Sequence, residues 1–110
     1  MNLMDLDPRW ACDADIVIGG IKQHFENRHG MAVSFECPHC VQRERETGDK
    51  RVCRLAVWFK NPIDGLPPTD DASYLWERTG DAFETLTLSP SVDASKEGHW
   101  HGYIRNGEIC

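Results

Sequence analysis

Two short motifs contain the residues whose side chains are best suited to bind a metal or to take part in a reaction. Residues 37–40 read Cys-Pro-His-Cys, and His99 and His101 lie two positions apart later in the sequence. A tight Cys-x-x-Cys turn presents two thiolates to one zinc ion, and residues i and i+2 of a strand project from the same face. The two motifs together predict a closed structural site for one Zn²⁺ per chain, with four protein ligands. These ligands are Cys37, Cys40, His99 and His101.

The other cysteines leave one alternative ligand open. The chain contains five cysteines and five histidines. Cys53 competes for a ligand position, and its alternative interpretation is a small buried residue at the start of a strand. His39 is expected to point away from the metal, and no role is assigned to Cys12 or Cys110. An odd number of cysteines without an export signal favours a reducing compartment, where Cys-x-x-Cys indicates metal binding or redox chemistry before a disulfide framework.

A redox pair and a catalytic metal are the competing interpretations of the same motifs. A redox Cys-x-x-Cys favours a helix N-terminus after its first cysteine, whereas the segment after Cys40 is predicted to be a polar turn. A catalytic zinc keeps one position open and needs a general base. If only one histidine binds the metal, the site opens and Asp93 or Glu97 could serve as that base. A shell of two thiolates and two imidazoles is full, and it favours a structural metal and a non-enzymatic role, with no catalytic residues.

Composition restricts the class of protein. The chain has 110 residues, 40% of them hydrophobic and 27% charged, which is typical of a single globular domain. No apolar run reaches the roughly 20 residues of a membrane helix, and the first residues lack the features of a signal peptide. The formal net charge of −6 argues against direct binding of nucleic acid, which needs a basic face. We therefore expect a cytoplasmic protein that contacts no membrane.

The elements that must position the two motifs are mostly strands. Alternating apolar residues at 31–36 and a run of strand-forming residues at 54–60 predict strands on either side of the metal turn, joined by a polar turn at 41–52. The pattern predicts a mainly β fold, with α+β as the alternative, built as a small zinc-ribbon-like antiparallel sheet with long loops. Residues 1–15 are predicted to form an irregular N-terminal arm of this single domain, and residues 31–110 its metal-stapled β core.

Three further patterns complete the predicted fold. Residues 16–18 favour a short strand that ends at two glycines. Residues 21–29 predict one short helix, because Ile21 and Phe25 lie four positions apart and Gly30 is a natural helix stop. The Asn-Gly pair at 106–107 predicts a β-hairpin in the last segment.

Six segments of the chain resemble a family of small phage and prophage proteins of unknown function. The segments are 7–10, 35–40, 57–65, 75–80, 85–93 and 99–108. The Leu-Ser-Pro-Ser block at 88–91, followed by His-Trp-His-Gly at 99–102, is specific to that family. Its members are sometimes labelled ammonia monooxygenase, but an integral-membrane copper enzyme cannot be built from this chain. The resemblance implies a bacteriophage or prophage origin and a metal site at the cysteine turn and the histidine pair, and it implies no activity.

Three functional hypotheses follow. The leading hypothesis is a non-enzymatic binding module stabilised by zinc, in a chain small enough to need a metal staple, with a phage or host protein as partner. A second is an acidic inhibitor of a host nucleic-acid-binding complex in defence or replication, because an acidic surface can occupy a basic channel. A third is a small metal-dependent hydrolase.

The identity of the metal is a separate question. Iron fits a Cys2His2 shell geometrically, and zinc is the default ion.

Overall fold

The computed structural model describes residues 1–11, 14–26, 28–69, 74–95 and 98–110. Mainly antiparallel strands and one α-helix make up this part of the chain, which confirms the predicted mainly β fold with a short helix. In chain order the elements are a 3-10 helix (Leu3–Leu6), β1 (Arg9–Trp10), β2 (Ala14–Ile18), β3 (Ile21–Phe25), β4 (Ala32–Glu36), α1 (Pro38–Thr47), β5 (Arg54–Trp58), β6 (Glu77–Thr79), β7 (Thr87–Ser89), β8 (Val92–Asp93), β9 (His101–Gly102), β10 (Ile104–Arg105) and β11 (Glu108–Ile109). No helix among these residues has the length and apolarity needed to cross a membrane.

A three-stranded antiparallel sheet in the order β1-β4-β5 forms the centre of the fold. In its register Val33 lies opposite Val57 and Phe35 lies opposite Leu55. Because side chains alternate between the two faces of a strand, these residues share one face, on which Val33, Phe35 and Val57 are buried. The predicted strands at 31–36 and 54–60 are thus confirmed in position, and the first of them buries the predicted face.

The remaining strands of the described residues form two-stranded ribbons: β2-β3, β6-β7, β8-β9 and β10-β11. The predicted Asn-Gly hairpin is confirmed, with Asn106 and Gly107 at φ 47° and 71° between β10 and β11. Their segment joins the core because Gly107 O accepts a hydrogen bond from the amide of Leu3, at 2.7 Å, and the amide of Gly107 donates one to Leu86 O. The C-terminal hairpin therefore packs against the same core as the N-terminal 3-10 helix.

The helix predicted at residues 21–29 is wrong. Residues Ile21–Phe25 form β3, which pairs with the correctly predicted short strand β2. Gly19 and Gly20 have φ of 59° and 79°, the positive values that a tight hairpin turn requires. The prediction failed because the four-residue spacing of Ile21 and Phe25 is also the spacing of one helix face. In the structure Ile21 is 65% exposed, so the two residues do not form a buried face.

The polar turn predicted after Cys40 is also wrong, since α1 occupies most of it. Pro38 stands in the first turn of α1, where its missing N–H costs nothing. Gly48 ends the helix at φ 74° and donates its N–H to Glu44 O at 2.8 Å. The charged residues between them are good helix formers, so the charge run forms a solvated helix face and not a turn.

The N-terminal arm is not irregular, and the core begins before residue 31. Leu3 and Leu6, on the 3-10 helix, are fully buried and belong to the main hydrophobic cluster. Residues 9–10 form β1 at the edge of the central sheet. The first ten residues thus pack against the core and cover one side of it.

Gly107→Ala is expected to lower the free energy of unfolding by about 2 to 3 kcal/mol, because positive φ costs a side chain about 1–2 kcal/mol and overpacking adds about 1 kcal/mol or more. A Cβ at this position would lie 2.6 Å from Phe83 O. Gly19→Ala is the matched control, since Gly19 also has positive φ but a Cβ there would have nothing within 4 Å. Urea unfolding should show the larger loss for Gly107→Ala, and equal losses would contradict the steric explanation.

Candidate metal centre

Three of the four predicted ligands lie close together, although Cys40 and His99 are 59 positions apart in the sequence. Their ligand atoms, the Sγ atoms of Cys37 and Cys40 and a ring nitrogen of His99, all lie within 4.8 Å of one another. We call this group the metal cluster. Cys37 follows β4 and is the N-cap of α1, and Cys40 lies in the first helical turn. The cluster therefore joins the central sheet and α1 to the loop before β9.

The loop that presents His99 is held by backbone hydrogen bonds at both sides of the residue. The amide of His99 donates to Ala94 O at 3.1 Å, and the amide of Ala94 donates to Trp100 O at 3.0 Å. Trp100 packs edge-on against Phe35, with the centroids of the two rings 6.2 Å apart. Phe35 lies two residues before Cys37, the first cysteine of the turn. The position of the imidazole thus depends on the core itself, and not on a loose surface loop.

The spacing within the metal cluster fits a tetrahedral ion. The distance from Cys40 Sγ to His99 Nδ1 is 3.5 Å. With Zn–S of about 2.3 Å and Zn–N of about 2.0 Å, a tetrahedral angle places sulfur and nitrogen roughly 3.5 Å apart. Two thiols and an imidazole are also the donor types that zinc prefers, so both the chemistry and the spacing of these residues fit the ion.

The electrostatic surroundings act on the thiols in two directions. Burial raises the pKa of the Cys37 thiol, and the backbone N–H groups of Cys40 and Trp100 oppose that shift. The N-terminal end of α1 adds a partial positive charge at the same place. Without a cation the buried Cys37 thiol favours the protonated form, and a bound metal would convert it to a thiolate by releasing its proton.

Arg43 supports the metal cluster from the next turn of α1. Its Nη2 lies 3.7 Å from Cys40 Sγ and donates to Arg51 O at 2.9 Å. Asp49 holds the same guanidinium, with Oδ2 3.5 Å from Arg43 Nε. Residues that orient a ligand from outside the coordination shell tune its charge and geometry. Arg43 thus places one positive charge beside the sulfur of Cys40.

His101 is not brought to the metal cluster, which corrects the predicted set of four ligands. It is exposed in β9, opposite Asp93 of β8, and its Nε2 lies 3.3 Å from Ser91 Oγ. The prediction assumed that His99 and His101 share one strand and therefore one face. Since β9 begins at His101 and His99 lies in the preceding loop, the i, i+2 rule does not apply to this pair.

The other candidates named from the sequence do not belong to the metal cluster or lie outside the described residues. Cys53 is exposed just before β5, so it is not the small buried residue of its alternative interpretation. His39 is exposed on α1, as expected for a residue pointing away from the metal. Cys110 is exposed, and Cys12 lies outside the described residues. No sequence signal pointed to Arg43, because only its place in the unpredicted helix brings it to Cys40.

A redox pair was disfavoured because a turn, not a helix, was predicted after Cys40. The structure has a helix there, so that argument fails, but the burial of both cysteines is a stronger argument against redox exchange. Cys37 and Cys40 are both 0% exposed. Thiol–disulfide exchange requires an attacking thiolate that its partner can reach, and a depressed pKa favours it. The raised pKa of Cys37 and the complete burial of both sulfurs disfavour that chemistry.

Asp93, one of the two carboxylates named as general bases, is engaged in local hydrogen bonds. Asp93 Oδ1 already accepts hydrogen bonds from the amide of Ser95, at 3.0 Å, and from its hydroxyl, at 2.6 Å. Glu97 lies outside the described residues. The arrangement is best suited to holding a metal ion away from solvent. No protein-family model, no curated protein and no solved structure matches this chain.

Proposed function

We propose that the protein is a small zinc-stabilised module that acts by binding another protein, with the metal in a structural role. The convergence of Cys37, Cys40 and His99 carries this proposal. Both sulfurs are fully buried, which suits an ion that stabilises a fold better than one that must admit substrate and water.

The architecture explains why such a module would need a metal. Outside the three-stranded sheet, the described strands form two-stranded ribbons, which are marginally stable alone in water. A domain of this size buries only about two-thirds of its unfolded surface. An ion at the metal cluster would tie the sheet and α1 to the loop before β9, and its binding energy would add directly to folding energy.

The partner that we propose is a phage or host protein met in the bacterial cytoplasm. This follows from the resemblance to small phage proteins and from the net charge of −6. The acidic charge also keeps a second candidate function open, the inhibition of a host nucleic-acid-binding complex, because a negative surface is complementary to a basic channel. A binding that weakens steeply with added salt would favour this second function, and a salt-insensitive one would oppose it.

The first experiment is metal stoichiometry on untagged protein, by elemental mass spectrometry, with thermal unfolding before and after chelation. We expect one zinc per chain and a large fall in the unfolding temperature once zinc is removed. Cys110→Ser is the control, since Cys110 is exposed and lies outside the metal cluster. It should keep its zinc and its unfolding temperature. Protein without metal, unfolding at the same temperature with and without chelator, would overturn the proposal.

A further inference from the structure

We propose that Cys53 supplies the fourth ligand and completes a Cys3His site with Cys37, Cys40 and His99. The inference rests on the proposed function, since it assumes that the metal cluster binds zinc. It also chooses between the two residues that the sequence left in competition, Cys53 and His101. The strand register of the central sheet provides the first reason for this choice.

The pairing of β4 with β5 continues beyond both strands to the two cysteines. Phe35 lies opposite Leu55, and Glu36 lies opposite Arg54. The next pair in this register is Cys37 with Cys53, and the amide of Cys37 donates to Cys53 O at 2.7 Å. The two cysteines are therefore direct cross-strand neighbours.

The register also decides which face Cys53 occupies. The backbone hydrogen bond from Cys37 to Cys53 extends the register by one pair, so the Cβ of Cys53 is expected on the side of Leu55 and Val57, although its side chain is exposed. Directly opposite residues of an antiparallel pair have Cβ atoms about 4.5–5.5 Å apart. Two sulfurs bound to one tetrahedral zinc lie roughly 3.8 Å apart, given Zn–S of about 2.3 Å. The proposed site therefore requires the sulfur of Cys53 to turn from its exposed position toward the sulfur of Cys37, with the backbone pairing kept.

His101 would need a larger rearrangement to reach the same ion. It lies in the β8-β9 ribbon opposite Asp93 and contacts Ser91 Oγ through Nε2. To bind the ion, His101 would have to give up its contact with Ser91. Cys53 lies outside the regular strand, with an exposed side chain, and its backbone is already in place.

The charge of the completed site fits its surroundings. Three thiolates and one Zn²⁺ sum to one negative charge, which a buried site must compensate. Arg43 lies beside Cys40 Sγ with its guanidinium, and the N-terminal end of α1 lies at the same sulfurs. A Cys2His2 site would be neutral and would leave the arginine without this role.

Cysteine footprinting tests the proposal on the intact protein. Zinc-loaded wild-type protein is treated with iodoacetamide, and the modified peptides are quantified over time by mass spectrometry. Cys110 is the internal control, because it is exposed and outside the site. We expect Cys53 to react at least about tenfold more slowly than Cys110 with zinc bound, and at a similar rate after chelation, since coordination removes the thiolate from reaction. Equal rates in protein that holds one zinc per chain would overturn the proposal.

Two variants separate this proposal from the proposed function. Cys53→Ser should weaken zinc binding by more than about 100-fold, the upper range for residues that only support a ligand, while His101→Ala should leave it unchanged. In cobalt-substituted protein, Cys53→Ser should also lose part of the sulfur-to-metal charge-transfer absorption. Loss of zinc affinity in His101→Ala alone would assign the fourth position to that histidine and overturn the Cys3His site. Wild-type protein that binds no zinc would instead overturn the proposed function, and this inference with it.

Discussion

Cys37→Ser is expected to abolish zinc binding and leave the chain largely unfolded at room temperature. Structural zinc contributes an apparent binding free energy of about 10–16 kcal/mol in small zinc domains, while a whole domain is stable by only about 5–15 kcal/mol. Cys37 is fully buried at the junction of β4 and α1, so its replacement by serine removes a ligand at the point where the metal would hold these two elements. Circular dichroism and tryptophan fluorescence, compared with the wild-type protein, measure the effect.

Chelation separates the loss of zinc from the cost of a buried hydroxyl. Serine at this position would also bury a polar hydroxyl, whose burial without a hydrogen bond costs about 1–3 kcal/mol by mutational data. If zinc loss dominates, chelator-treated wild-type protein should unfold nearly as completely as Cys37→Ser, and chelator should have no further effect on the variant. Cys110→Ser should respond to chelator as the wild-type protein does. A Cys37→Ser protein that loses zinc but keeps the wild-type unfolding midpoint would show that the metal does not stabilise the fold.

The sequence predicted the parts of the metal cluster that depend on local spacing. Cys37 and Cys40 lie within one turn, so their convergence needs only local chain geometry. His99 was predicted correctly as a neighbour of this turn, but His101 was not, because the prediction extended β9 by two residues. The strand boundary decided which of the two histidines reaches the cysteines, and strand boundaries are set by pairing with β8, which periodicity alone does not reveal.

Two segments were predicted wrongly where local patterns were ambiguous: a turn was predicted where most of α1 lies, and a helix where β3 lies. The segment after Cys40 has few apolar residues, so it lacks a periodic apolar face, although Pro38 and Gly48 mark its two ends. In contrast, Ile21 and Phe25 show a helical spacing but follow a Gly-Gly turn that pairs them with β2. The proposed role of Cys53 rests on register between β4 and β5, which becomes visible only once the two strands are paired.

The second large effect concerns an ion pair between residues outside the metal cluster. Arg28 is 5% exposed and forms a two-pronged contact with Asp64, Nε to Oδ2 at 2.9 Å and Nη2 to Oδ1 at 2.7 Å. Its third nitrogen donates to Pro67 O at 2.6 Å. The amide of Leu66 donates to Asp64 Oδ1 at 3.0 Å, which fixes the turn that presents the carboxylate. This pair fastens the segment after β3 to the proline-rich loop after β5.

Asp64→Ala is expected to lower the free energy of unfolding by about 3–5 kcal/mol, the cost of leaving one partner of a buried ion pair uncompensated. Urea unfolding of the zinc-loaded protein measures the loss. Arg51→Ala is the matched control, because Arg51 makes the same two-pronged contact with Asp49 but its side chain is 88% exposed. It should lose only a small fraction as much. The double variant Arg28→Met/Asp64→Ala should lose less than Asp64→Ala alone, since it buries no unpaired charge.

The ion pair of Arg28 and Asp64 also predicts how the free energy of unfolding depends on pH. The side-chain hydrogen bonds from Arg28 hold the pKa of Asp64 below its usual value, which is about 3.9 in an unfolded chain. Because the folded protein binds this proton more weakly than the unfolded chain, the stabilisation is fully present above about pH 4 and is lost as the pH falls through the folded pKa. Asp64→Ala should therefore flatten the acid limb of the stability curve. Asp49, whose pKa is lowered to about 2, titrates in both proteins and cancels in the comparison. A wild-type and a variant curve that run parallel below pH 4 would show that Asp64 is not the group that Arg28 keeps ionised.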